Sequence, residues 1–215
     1  RAGGVGVARG LLSGSPAARR GVPAMQAATM VAQHAVQLPE QPQVWLVPGV
    51  TTAAQGASFT AEAWERLASA LYTSSVSIGR DALVDAGRLV SERGCWPVLR
   101  AADRVLLAVR PSVRSVHAAQ DAKQRLRHEL GDLAKVTALV VGVGPYSAGE
   151  VAKALDLPLA GTLPYDRTAA QALSDGAVVS PKTLQRSALL RAASSLAKTL
   201  TSSTEASRVA EVVAG

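Results

Sequence analysis

The sequence predicts an α/β domain whose mostly parallel sheet is flanked by helices, and three observations carry that prediction. Short apolar runs alternate with longer amphipathic stretches at the spacing of strand–helix–strand units, which favours parallel strands joined by right-handed crossovers. The runs are closed by Pro, Gly or Asp, residues that end strands in turns. The 215-residue chain is 48% apolar but only 3% aromatic. Such an Ala/Val/Leu core suits a sheet covered by helices better than an all-β sandwich.

Residues 1–24, with Pro16 and Pro23 as breakers, read as loop plus a short helix, and an Ala/Met/Gln-rich helical stretch follows over 25–36. Val44-Trp45-Leu46-Val47, closed by Pro48-Gly49, reads as a buried strand ending in a turn. Thr60 is the expected N-cap of a helix running to about Tyr72. Ala82-Leu83-Val84-Asp85 reads as a short strand ending in an acid, followed by Ala86-Gly87.

Residues 104–109 form another strand, closed by Arg110-Pro111, and a long helix is expected over 113–131. Thr137 to Val141 is the strongest strand signal and leads into Gly142-Val143-Gly144-Pro145. Residues 148–155 read as helix, and Leu157 to Leu163 as a last strand ended by Pro164. A final helix over about 183–200 places Leu189, Leu190, Ala193, Leu196, Ala197 and Leu200 on one face. Residues 1–202 thus read as a single nucleotide-binding-like domain, and 203–215 as a polar tail prone to fraying.

The single Cys95 rules out an intramolecular disulfide framework and fits a reducing compartment, hence a cytoplasmic expectation. No apolar run approaches the ~20 residues needed to span a bilayer. The first residue is Arg1, with no signal pattern behind it, so the natural start is expected upstream. Lys and Arg outnumber Asp and Glu by 23 to 16, a formal +7. That balance favours anionic partners such as nucleotides, DNA or anionic lipid, although basic surface also serves solubility alone. Scarce aromatics argue against stacking platforms for single-stranded nucleic acid.

In open α/β sheets ligands sit beyond the carboxyl ends of the strands. Asp85 there can hold a metal-bound water beside a phosphate, and Gly87 lets the backbone approach. The same two residues also make a plain turn, which on residues alone is the preferred reading. Gly142-Val143-Gly144 opens like a dinucleotide fingerprint. The third glycine position is occupied by Ser147, however, and Gly149 breaks the spacing, so a Rossmann-type dinucleotide-binding protein is a minor reading.

No G-x-x-x-x-G-K-[ST] occurs in the chain. Without it there is no amide cradle for phosphates and no Lys or Ser/Thr to meet phosphate and Mg²⁺, so no ATP hydrolysis is expected of the chain alone. No catalytic residue is assigned. His34, His117 and His128 lack companions at metal-ligand spacing, and no G-x-S-x-G supports a hydrolase. In the 113–131 helix, Val113, Val116, Ala119, Leu126 and Leu130 form a stripe for the sheet. Arg114, His117, Arg125 and His128 line another face, interrupted by Asp121, with Lys123 and Arg127 nearby. That face suits DNA phosphates, or simply solvent.

Taken in order, the strand-end motifs from Asp81 to Gly176 resemble the MinD/ParA family of deviant P-loop ATPases, which position division sites, plasmids, chromosomes and pili. The matching pieces begin with Ala82-Leu83-Val84-Asp85-Ala86-Gly87 and Ala102-Asp103 through Arg110-Pro111. Val140-Val141, Glu150-Val151 to Leu157-Pro158, Gly161 through Pro164-Tyr165-Asp166, and Asp175-Gly176 follow. They cover nearly half of the chain.

The resemblance implies a P-loop NTPase-like fold, N-terminally incomplete because Arg1-Ala2-Gly3-Gly4 resembles the stretch just after the family's second strand. It implies ATP and Mg²⁺ as cofactors, a nucleotide-controlled homodimer, and an unidentified activator or cargo. Asp85 would lie near Mg²⁺ through water, Gly87 beside the γ-phosphate, and Pro164, Tyr165 and Asp166 beside the adenine. Gly142 stands where family members often carry an Asn that reads the base. The tail Ser207 to Ala214 lacks the aromatics and Lys of membrane-anchoring relatives, so no membrane anchor is expected. The alternative is a non-catalytic relative acting as a DNA-binding or scaffold module through Arg114, Lys123, Arg125 and Arg127.

Overall fold

The computed structural model describes residues 29, 32–38, 41–50, 52–78, 81–89 and 94–214. Most of the expected loop and helix over 1–36 lies outside them. By its internal contacts the chain divides into two compact units, Arg1–Ala102 and Asp103–Gly215.

In the first unit, β1 (Val36–Leu38) and β2 (Gln41–Leu46) pair antiparallel, with Val36 opposite Leu46. The buried strand expected at Val44–Val47 is corrected here. Val44, Trp45 and Leu46 are 46%, 48% and 54% exposed, because a two-stranded ladder covers neither face of the run. A capping box between Thr52 and Gln55 opens α1 (Ala53–Ala57).

Helix α2 (Ala61–Ile78) starts where Thr60 predicts, with the Ala63 amide donating to Thr60 Oγ1 at 3.2 Å. It outruns the expected end at Tyr72 because no Gly or Pro interrupts it before Gly79. The sequence reading did not foresee α3 (Trp96–Ala101), whose Pro97 sits in the first turn, where the missing amide costs nothing. The core of this unit joins Phe59, Ala63, Leu67 and Ala70 to Trp96, Val98 and Leu99, with the Phe59 and Trp64 rings 4.7 Å apart.

The expected strand at Ala82–Asp85 is also corrected. Residues 81–88 form no strand, Leu83 is 97% exposed, and no described strand pairs with the segment. Without a ladder the backbone amides have only solvent and local turns to satisfy them.

The second unit follows the predicted alternation closely. Strand β3 (Val105–Val109), helix α4 (Val113–Leu130), strand β4 (Val136–Val141), helix α5 (Ala148–Leu155) and strand β5 (Leu159–Leu163) form two consecutive strand–helix–strand units. The sheet runs β3-β4-β5, all parallel, with Val109 opposite Val140 and Val141 opposite Leu163. Helices α6 (Arg167–Asp175), α7 (Pro181–Gln185) and α8 (Ala188–Ala214) complete it. The final helix therefore begins later than predicted and runs through the tail expected to fray.

Val136, Ala138, Leu139 and Val140 of the middle strand are buried, and so are Leu126 of α4 and Val151 and Leu155 of α5, the last three at most 1% exposed. Of the stripe predicted on α4, Ala119 and Leu126 are buried and Val116 and Leu130 half-buried. Val113, the first residue of the helix, departs from it at 66% exposed.

Candidate functional site

Parallel order places the carboxyl ends of β3, β4 and β5 on one edge of the sheet. Three connections leave from it: Arg110–Ser112 into α4, Gly142–Ser147 into α5, and Pro164–Asp166 into α6. Gly142, Pro164, Tyr165 and Asp166 are thereby gathered on this rim. Asp85 and Gly87 belong to the first unit.

Each rim segment is fixed by local chemistry. Gly142 has φ +85°, which favours glycine, and its amide donates to the Leu163 carbonyl at 2.8 Å, extending the β4–β5 ladder by one bond. Gly144 is demanded by contact: a Cβ there would stand 2.1 Å from the Pro111 carbonyl oxygen. This glycine pair thus serves a turn and a close approach between neighbouring loops, so its spacing need not signal a dinucleotide. Both glycines are visible in the sequence, whereas the proximity of Pro111 depends on the parallel register.

The three helix starts are closed by their own side chains. Ser112 Oγ accepts from the Ser115 amide at 3.4 Å. Ser147 and Glu150 form a reciprocal capping box, in which Glu150 Oε2 accepts from the Ser147 amide at 2.8 Å and from Ser147 Oγ at 2.7 Å. Asp166 Oδ1 accepts from the Ala169 amide at 3.1 Å, and its Oδ2 accepts from Ser187 Oγ at 2.8 Å. Tyr165, just before that cap, is 66% exposed, and Tyr146, just before Ser147, is 40% exposed.

Both acids are held below the usual carboxylate range. For Glu150 the Ser147 hydroxyl is the main cause and the Ser147 amide the second; for Asp166 it is the Ala169 amide and then the Ser187 hydroxyl. A carboxylate whose folded pKa is depressed stabilises the fold fully above its unfolded pKa, about 4. That stability is lost as pH falls through the lowered folded values. Titration from pH 6 to pH 2 is therefore expected to lower the melting temperature chiefly below pH 4. Ser147→Ala should flatten that slope, and a slope unchanged by it would refute the assignment.

This chemistry bears on what the rim could hold. One N-terminal amide of each helix, that of Glu150 in α5 and of Ala169 in α6, already has a side-chain partner and is not free to meet an anion. No group of three or more His, Cys, Asp or Glu that could hold a metal ion occurs among the described residues.

In the first unit, Asp85 Oδ1 accepts from the Gly87 amide at 2.8 Å, and Gly87 has φ +65°. The pair is thus a side-chain-closed turn at the surface. Behind it the Cys95 thiol points at the Ala86 carbonyl at 4.0 Å, and burial pushes its pKa up. A groove of about 610 Å³ between α2 and α3 is lined by Glu65, Ser69, Tyr72, Thr73 and Arg100, and holds none of the predicted site residues.

On α4, Arg114, His117, Arg125, Arg127 and His128 are exposed, as the basic face requires. Lys123 does not share that face. Its Nζ donates to the Leu155 carbonyl at 2.6 Å and reaches the Asp156 carbonyl and Oδ2, each at 3.3 Å, with only 14% of the side chain exposed. Asp156 ends α5 in the left-handed region, φ +48°, which leaves the carbonyls of its last turn open to this cation.

No family model matches the sequence, and no curated protein matches it. Solved structures do. The chain is similar to the MinD cell division protein of Aquifex aeolicus, at 18% identity and a TM-score of 0.64 over 80% of this chain and 70% of that one. It is similar to a ParA family ATPase from Chlorobium tepidum TLS, at 17% identity and a TM-score of 0.67 over 89% of this chain and 75% of that one. A MinC:MinD cell division protein complex from Aquifex aeolicus matches at 18% identity and a TM-score of 0.57, over 78% of this chain and 63% of that one. At such identities the likeness concerns architecture: the chain has a MinD/ParA-like fold. No described helix is long and apolar enough to cross a membrane.

Proposed function

We propose that this chain is the nucleotide-binding-like part of a MinD/ParA-like ATPase whose nucleotide-controlled homodimer positions chromosomes, plasmids, or division or pilus machinery. The observation that carries the reading is the rim. A parallel β3-β4-β5 sheet brings Gly142 and Pro164–Asp166 together at its carboxyl edge, within a fold that MinD and ParA structures share. By the resemblance, Pro164, Tyr165 and Asp166 border the base, while Asp85 and Gly87 serve water-held Mg²⁺ and the γ-phosphate. The chain itself, without G-x-x-x-x-G-K-[ST], is expected to show no ATP turnover.

Titration of ATP·Mg²⁺ into the full native protein tests the reading. Saturable binding is expected, weakened about tenfold by Asp85→Asn, which preserves the turn and removes the charge. A flat titration rejects it.

A second reading, a non-catalytic DNA-binding module, is favoured by the exposed Arg114, Arg125 and Arg127 and the net charge of +7. Here Arg114→Glu with Arg125→Glu should lower affinity for duplex DNA at least about tenfold and reduce the salt slope by roughly 2. Unchanged binding, or binding indifferent to salt, rejects this face.

A further inference from the structure

We propose that Ser187 is a positioning residue that ties the Pro164–Asp166 loop to the start of α8, so that occupancy of the rim is transmitted to the long C-terminal helix. What occupies the rim rests on the nucleotide reading above.

The joint centres on the Ser187 hydroxyl and the Asp166 carboxylate, whose charged form the Ala188 and Leu189 amides at the start of α8 also favour. Ser187 is 7% exposed, and its amide donates to the Leu184 carbonyl at 3.0 Å, which pins it to α7. Its hydroxyl has a single proton, given to Asp166 Oδ2 at 2.8 Å, and its oxygen accepts from the Leu190 amide at 3.2 Å. Asp166 in turn uses its other oxygen to cap α6. One carboxylate therefore joins the starts of two helices.

An ordinary N-cap needs only the acceptor lone pair. The extra donation to Asp166 is what a purely local role leaves without purpose, and this part-buried bond to a charged acceptor is stronger than a neutral one. Farther along, α8 lies on β5: a Cβ on Gly161 would stand 3.2 Å from Leu196 Cδ1. The helix is thus held to the strand at one point and to the loop that follows the strand at another. A ligand that shifts Pro164–Asp166 must either break the Ser187–Asp166 bond or move the first turn of α8 with it.

Hydrogen–deuterium exchange of the full native protein, with and without ATP·Mg²⁺, separates these outcomes. Three proteins are compared: wild type; Ser187→Thr, which keeps donor and acceptor; and Ser187→Asp, which keeps the cap but sets a charge against Asp166. In wild type and Ser187→Thr, nucleotide should slow exchange at least about threefold in both 164–167 and 188–200. In Ser187→Asp only 164–167 should respond. Protection of 188–200 that persists in Ser187→Asp overturns the proposal. So does a wild type in which 164–167 responds and 188–200 does not, an arm that stands even if Ser187→Asp fails to fold. A wild type in which neither segment responds removes the nucleotide reading, and the proposal with it.

Discussion

Gly144→Ala is expected to destabilise the second unit by about 3 kcal/mol, the upper part of the range for forcing a methyl into filled space. The new Cβ would meet the Pro111 carbonyl oxygen at 2.1 Å and the Pro111 ring carbon Cγ at 2.9 Å. The first of these is backbone, so relief requires the loops after β3 and β4 to separate. Gly149→Ala is the matched control. Nothing lies within 4 Å of a Cβ there, and the residue is in the first turn of α5. Alanine at that position should stabilise slightly, by about 0.5 kcal/mol, because it restricts the unfolded chain. Urea unfolding of both variants followed by circular dichroism decides the matter. Equal midpoints would show that the loops part without cost.

Leu126→Ala is the second large effect, a loss of about 3 kcal/mol. Leu126 is fully buried on the sheet-facing side of α4, and Leu155 of α5 is 1% exposed. The two crossover helices touch each other and are cross-linked by Lys123, so the walls around a deleted side chain have little freedom to collapse. A site that cannot collapse keeps its cavity and bears the full cost. A loss below about 1 kcal/mol would mean that α4 settles onto the sheet after all.

The second unit was largely readable from sequence because its signals are local and agree with one another. Ser112 and Gly131 bracket α4, Ser147 and Glu150 open α5, and the valine-rich run Val136–Val141 lies between helices of sufficient length to cover it. What escaped notice depends on neighbours. Asp166 is visible as an acid after a strand, but its role as a cap shared with Ser187 spans 21 residues of sequence. Lys123 looks like one more basic residue until Leu155, 32 residues away, offers its carbonyl.

The misreadings have the same origin. Val44–Val47 and Ala82–Asp85 have the composition of inner strands, yet a strand is defined by its ladder. The first has one short partner and the second none among the described residues. The candidate residues divide along that line: topology places Gly142 and Pro164–Asp166 at one sheet edge, whereas Asp85 and Gly87 rest on motif resemblance alone.

All three tryptophans, Trp45, Trp64 and Trp96, fall within Arg1–Ala102. Two of the three tyrosines, Tyr146 and Tyr165, fall after it. Indole emission excited at the red edge of the absorption band is consequently a private optical signal for one half of the molecule, dominated in its core by Trp64 beside Phe59 and the buried Trp96. Far-ultraviolet ellipticity, carried by helices of both halves, supplies the joint signal. Superimposed melting curves from the two would mark a single cooperative transition, and displaced ones would assign each step to its half without any label being introduced.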